Sequence, residues 1–235
     1  MTRTPVEVFA ARLREALRFG VAFLRGRMLR LSLLFVGLLL PLWGFAELAD
    51  EVHEHEPLPF DEPILRALHA LTGDAFDRVA VFFSAIGYQW GVVPFDIVLI
   101  ATLVWRRRLR EGVFAGIAIG GSALLNLTTK QVFARDRPSL WASIAPETTF
   151  SFPSGHAMGS ATLAWVLLLL AWHTRRRWPV ACAVTVFAAM VALSRVYLGV
   201  HYPSDILAGW AAASVWTVSV YGLLYRSGTR PWRPA

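Results

Sequence analysis

Lysine occurs once in this 235-residue chain, as Lys130, although Lys and Arg together number 23, so every other basic side chain is a guanidinium. Such a bias leaves two readings of the exception: a drift of composition that missed one position, or a site where a compact ammonium serves and a planar fork does not. Cysteine also occurs once, at Cys182. No intrachain disulfide can form, and cysteine usage says nothing about redox compartment. Charged residues make up only 17% of the chain, and long repeats, low-complexity tracts and linkers are absent, which excludes a solenoid or a disordered module and leaves one domain.

What replaces the missing charge is apolar. A hydrophobic content of 56%, ten Trp and a mean hydropathy of +0.50 point to an integral membrane protein. A helix needs roughly 20 apolar residues to cross the hydrocarbon. Six stretches qualify as expected spans, at 31–48, 88–105, 112–132, 155–172, 179–198 and 203–224. Arginine orients them, because basic residues accumulate in short cytoplasmic segments. Seven Arg lie in the first 30 residues, and further groups lie at Arg106, Arg107, Arg108 and Arg110, at Arg175, Arg176 and Arg177, and at Arg226, Arg230 and Arg233. The segment after the first span is acidic instead, with Asp50, Glu51, Glu54, Glu56, Asp61 and Glu62. Both termini are therefore expected in the cytoplasm, and the acidic segment outside.

Residues 1–30 read as a cytoplasmic amphipathic helix, with Val8, Phe9, Leu13, Leu17 and Phe23 opposite an Arg face on the inner leaflet. Residues 31–225 form the membrane domain, and 226–235 a cytoplasmic tail. The basic region before the first apolar run is too long for a cleavable signal, and loss of that span would leave nothing to carry the acidic loop across. A pI near 10.5 could suggest nucleic acid. Topology and anionic lipid account for the Arg clusters instead, so no nucleic-acid partner is expected. Between the first two spans, Pro63 can start a surface helix striped by Ile64, Leu65, Leu68 and Leu71 and ended by Gly73. His53 and His55 lie among the acids of that loop, where solvation is favoured over metal binding.

Three stretches at the expected outer ends of spans carry the chemistry: KQVFARDRP at 130–138, PSGH at 153–156 and SRVYLGVHYPSD at 194–205. Lys130 and Arg195 sit in apolar runs, where an ionised side chain needs a polar cavity or an anion. Lys130 alone could instead snorkel to the interface. Ser154 reads as the N-cap of the fourth span, Gly155 permits close approach of a ligand to the backbone, and His156 projects from the first turn, where free N–H groups suit a phosphate. Pro203 suits the first position of the last span, so Asp205 can reach back to His201 and fix its tautomer. His and Asp four apart could also ligate a metal, but the cations nearby would repel it. Asp96, inside the second span, is open to a functional role or to a bond with a neighbouring helix, and the structural role is favoured.

Together the stretches fix eleven identities in order: Lys130, Arg137 and Pro138; Pro153, Ser154, Gly155 and His156; Ser194, Arg195, His201 and Asp205. The combination resembles the type 2 phosphatidic acid phosphatase (PAP2) superfamily, with every signature position filled. The resemblance implies an all-α, six-transmembrane helical bundle with the helical core that PAP2 phosphatases share with haloperoxidases. It implies phosphate binding by Lys130, Arg137, Arg195, Ser154 and Gly155, nucleophilic attack by His201 supported by Asp205, and proton transfer by His156, with no metal and no cofactor. Pro138 and Pro153 would shape turns, and Ser194 would serve helix packing as much as binding. The expected substrate is a lipid phosphate or diphosphate, namely undecaprenyl diphosphate, phosphatidate or phosphatidylglycerol phosphate, hydrolysed at the outer face of a bacterial cytoplasmic membrane. A phosphotransferase would use the same site with another acceptor, and a lipid or anion transporter would leave the His201 to Asp205 pairing idle. Oligomeric state is not legible.

Overall fold

The computed structural model describes residues 5–225 and 231–232, and the side chains of 5–11, 23–27 and 29–30 lie outside that description. The expectations for Val8, Phe9, Phe23 and for Arg226, Arg230 and Arg233 of the tail therefore fall outside the described residues. All regular structure among the described residues is helical: α1 (Pro5–Leu34), a π-helical turn (Phe35–Leu39), α2 (Leu40–His53), α3 (Asp61–His69), α4 (Asp74–Ile86), α5 (Val92–Trp105), α6 (Leu109–Phe133), α7 (Gly155–Ala171), α8 (Arg177–Tyr197) and α9 (Pro203–Leu224).

Four helices are long and apolar enough to cross a membrane: Leu31–His53, Leu109–Phe133, Arg177–Tyr197 and Pro203–Leu224. Val92–Trp105 and Gly155–Ala171 are apolar but shorter, so length alone supports four of the six expected spans. The shortfall in α5 has a local cause. The stretch expected as one span from residue 88 is interrupted at Gly87–Gly91, and a side chain on Gly91 would collide with the Ile86 carbonyl oxygen at 2.1 Å, so the chain turns there. Before the turn lies α4, an apolar helix that the periodicity of the acidic segment did not reveal. It packs on α8, while α5 packs on α6 and α7.

α7 is the centre of the bundle, flanked by α6, α8 and α9. Small residues set the crossings, as is usual where helices meet without a hydrophobic drive. Gly209 is one such contact, since a Cβ there would lie 2.9 Å from the Ser154 carbonyl oxygen. Phe114, Val166, Leu169 and Tyr221 fill the half of the bundle remote from the start of α7. The expected surface helix is present as α3, yet it does not simply lie on the outside. Its Leu65 is fully buried against Ala192, Val196 and Ile206 of α8 and α9.

Candidate active site

The three stretches meet at one end of the bundle, each delivered by the end of a helix. Lys130 lies in the last turn of α6, which stops at Ala134 in the left-handed conformation (φ 44°) and releases Arg135 and Arg137 into the irregular segment before α7. Ser154 caps α7 as expected, its Oγ accepting the Ala157 N–H at 3.4 Å. Arg195 lies in the last turn of α8. Beyond it Gly199, at φ +68°, turns the chain toward His201, and the Trp141 indole lies so close that a Cβ would meet its Nε1 at 2.6 Å. Backbone conformation and space both demand glycine there. Pro203 opens α9, and Asp205 follows in its first turn.

These residues surround a cavity of about 480 Å³ whose walls include Lys130, Glu147, Gly155, His156 and His201. His201 and Asp205 pair through Nδ1 and Oδ2 at 3.3 Å, and the same carboxylate oxygen accepts the Tyr202 N–H at 2.9 Å. Asp205 Oδ1 accepts from Arg135 at 2.7 Å. Arg135 donates onward to Asp61 at 2.9 Å and to Ser204 Oγ at 2.8 Å, and its guanidinium lies 4.1 Å from the centre of the Tyr202 ring. Asp61 in turn accepts the Ser204 N–H at 2.9 Å and its hydroxyl at 2.5 Å. The carboxylate behind His201 is thus held by a network that reaches α3.

Glu147 organises the other side. Arg195 donates to its Oε1, Arg137 to its Oε2 at 3.2 Å, and His156 Nδ1 lies 3.8 Å from Oε1. Arg137 also donates to the carbonyls of Thr149 at 2.6 Å and Val200 at 2.7 Å, and to His201 Nε2 at 3.2 Å. Arg195 has its second terminal nitrogen on Ser84 of α4, and its buried Nε has no partner among the described residues. The Lys130 ammonium donates to the Phe150 carbonyl and lies 3.5 Å from Thr149 Oγ1. An anion site already exists here, and a carboxylate of the chain occupies it.

Electrostatics follow from burial. His201 is 1% exposed, and desolvation, with Arg195, Arg137 and Lys130 around it, holds its imidazole well below the ordinary histidine range. The ring is therefore neutral at physiological pH. With Nδ1 facing Asp205, the lone pair is on Nε2, the nitrogen on the cavity side that Arg137 now occupies. Burial likewise lowers Arg137 from its ordinary value, opposed by Glu147 and Asp205.

Several expected residues also make contacts within the fold. Gly155 admits Asn126 rather than only a ligand, since its Cβ would stand 3.0 Å from Asn126 Oδ1. Pro153 offers its carbonyl to Asn126 Nδ2 at 3.1 Å, and Pro138 directly follows Arg137 at a half-buried position. Ser194 Oγ donates to the Val191 carbonyl of its own helix at 2.6 Å, a packing role. Arg135, Asp61, Glu147, Ser84 and Asn126 are site residues that the sequence reading missed. A signal existed for one of them: Glu147 is the sole acid between Asp136 and Asp205.

Comparison with known proteins places the chain in a family. The sequence model of the PAP2 superfamily matches residues 111–228. The chain is similar to phosphatidylglycerophosphatase B of Bacillus subtilis, with 30% identity over 172 residues that cover 71% of this chain and 84% of the relative. It is also similar to undecaprenyl-diphosphatase of Sulfolobus acidocaldarius, 33% identical over 139 residues, 57% of this chain and 64% of the relative. Among solved structures, a transmembrane PAP2-type phosphatidylglycerolphosphate phosphatase from Bacillus subtilis aligns with a TM-score of 0.71 and 26% identity, over 82% of this chain and 97% of the other.

Proposed function

The chain belongs to the PAP2 superfamily and is a phosphoric ester hydrolase, and from that premise we propose that it hydrolyses a lipid phosphate or diphosphate through a phosphohistidine on His201. One observation carries the reading. Arg137 and Arg195 hold the two oxygens of a single carboxylate, Glu147, beside His156, and Arg137 also reaches His201. A phosphoryl group has the same need for bidentate donors and carries more charge, so it can displace that carboxylate.

In the first step the phosphate takes the donors of Arg137, Arg195 and Lys130, with the Ser154 hydroxyl and the first turn of α7 beside it. Transfer of Arg137 from His201 Nε2 to the phosphate frees the nitrogen lone pair. Nε2 attacks phosphorus, and the P–O bond to the leaving group breaks as His156 gives that oxygen a proton. Asp205 stabilises the positive charge that grows on the His201 ring. In the second step His156 takes a proton from water, the resulting hydroxide attacks phosphorus, and the P–N bond breaks to release phosphate. The cations face charge that increases toward each transition state, which is where their contribution to rate lies. The residues in the site supply every group these steps need.

Six membrane crossings complete the reading, with α4 and α5 together forming one broken crossing and α7 forming a short continuous one. The amphipathic segment at 1–30, the membrane unit at 31–225 and the tail at 226–235 make up the chain, with both termini cytoplasmic and the site opening on the opposite face of a bacterial cytoplasmic membrane. That arrangement leaves the lipid tail in hydrocarbon while its phosphate reaches the cations. The test is a trapping experiment with a substrate radiolabelled in the phosphoryl group that is transferred. Rapid quenching should capture acid-labile, base-stable label on the native protein, and His201→Ala should lose both label and phosphate release. Phosphate release by His201→Ala at a rate comparable to the native chain would remove His201 as nucleophile.

A further inference from the structure

A second cavity, of about 220 Å³, lies between α5, α6 and α7 and shares Tyr88, Asn126 and Gly155 with the walls of the first. Lys130, Asn126 and Ser122 follow one another on α6 at intervals of four residues, so this cavity lies roughly 6–12 Å further along the bundle than the Lys130 backbone. Its walls are mainly apolar, with Val92, Ile97, Ile100 and Ile119 prominent. Most of its polar groups are already satisfied: Ser122 and Thr162 pair through their hydroxyls at 2.7 Å, and Asn126 donates to the Pro153 carbonyl at 3.1 Å.

Asp96 is the exception. It lines this cavity, is 7% exposed, and its Oδ1 has no hydrogen-bond partner among the described residues. Among the described residues Asp96 Oδ1 therefore makes no bond to a neighbouring helix. A buried acid without a partner is costly in an apolar setting, and more so at membrane depth, unless something that enters the cavity supplies the missing bond. A hydrocarbon chain cannot supply it.

We propose that this cavity receives the glycerol backbone of a glycerolipid phosphate, with Asp96 hydrogen-bonded to one of its oxygens, so that the chain favours glycerolipid phosphates over prenyl diphosphates. This rests on the lipid phosphatase reading and specifies its substrate class. A glycerolipid carries ester carbonyl or hydroxyl oxygens a few bonds from phosphorus, and either can accept from the acid form of Asp96, while a hydroxyl can also donate to its carboxylate. In a prenyl diphosphate the second phosphate occupies that stretch beside the cations of the first cavity, and beyond it the chain offers only carbon, which leaves Asp96 unpaired. Discrimination of this kind is strong because the mismatched ligand strands a buried polar group rather than merely losing a contact.

The experiment uses the full chain in detergent micelles and compares kcat/KM for phosphate release from dioleoyl phosphatidate and from farnesyl diphosphate. The native chain should prefer phosphatidate. Asp96→Leu should reduce that preference by about tenfold or more, chiefly through KM for phosphatidate, and Asp96→Asn, which still donates and accepts, should retain most of it. Asp96→Ala gives the same reading if the leucine does not pack. A preference unchanged within about twofold in the Leu and Ala variants, whether both activities persist or fall together, overturns the inference. Release from the prenyl diphosphate alone by the native chain also overturns it and leaves the phosphatase reading standing. Release from neither overturns the inference, and absence of release from phosphatidylglycerol phosphate as well would remove the phosphatase reading.

Discussion

Arg195 is 1% exposed and directs its two terminal nitrogens to different helical neighbourhoods, Ser84 on α4 and Glu147 before α7. Only a guanidinium has that span, because an ammonium gathers its donors at one point. Arg195→Lys should therefore lose one partner and the paired grip on phosphate together. With hydrogen bonds to charged groups worth about 1.5–3 kcal/mol each, kcat/KM for phosphate release should fall roughly tenfold to a hundredfold. The lone lysine presents the converse problem. Lys130 is 8% exposed at the end of a packed helix and bonds the Phe150 carbonyl, so the longer, planar side chain of Lys130→Arg has to displace that segment to fit. Activity in Lys130→Arg near the native level would make the lone lysine an accident of composition, while Arg195→Lys tests the grip on phosphate independently. The signature cations and histidines were legible because their order along the chain resembles the PAP2 signature and each stretch falls at the expected end of a span. Glu147 was not, since an acid in an irregular segment has no periodicity to interpret and its meaning depends on two arginines that approach it from separate elements.

At the level of elements, α3 anchors the first turn of α9. Asp61 starts α3, accepts both the backbone N–H and the hydroxyl of Ser204, and holds the Arg135 guanidinium that also binds Asp205. In sequence Asp61 reads as one more acid of an exposed loop, and Arg135 as filler between the signature residues of its stretch. Nothing local marks either one, because their partners lie 143 and 70 positions away. The same limit explains α4, whose apolar face has meaning only once α8 lies against it. By contrast the start of α9 at Pro203 and of α7 at Gly155 matched expectation to the residue, since proline and a serine cap define helix starts from within. Asp61→Ala should leave Arg135 with a partner fewer in a largely buried setting and cost about 3 kcal/mol of stability, at the lower end for a broken buried pair because Asp205 remains. Thermal unfolding in detergent measures that loss. Asp61→Asn, which keeps an acceptor for Ser204, should preserve most of the stability yet lower kcat, since the charge that positions Arg135 against Asp205 is gone. Native kcat in Asp61→Asn would confine Asp61 to holding α3 in place.

For the whole molecule the open variable is orientation, and charge asymmetry addresses it. Arg106, Arg107 and Arg108 lie between α5 and α6, and Arg175 and Arg176 lie between α7 and α8. The site is at the opposite ends of α6, α7 and α8, where Lys130, His156 and Arg195 gather. The fold thus separates the arginine-rich turns from the catalytic groups by the length of α6, whose 25 residues rise about 37 Å at 1.5 Å each, more than the hydrocarbon thickness of about 30 Å. With the arginines on one face the site would open on the other, and the preference of basic turns for the cytoplasm predicts the outer one. The scarcity of cysteine makes this directly measurable. Cys182 is exposed on α8 and is replaced first, as Cys182→Ser. In that background Ser139→Cys, exposed in the segment that carries Arg137, should react with a membrane-impermeant thiol reagent in intact cells, and Arg107→Cys only after lysis. The reverse pattern would put the site in the cytoplasm, and the lipid phosphate it meets would then be drawn from the inner leaflet.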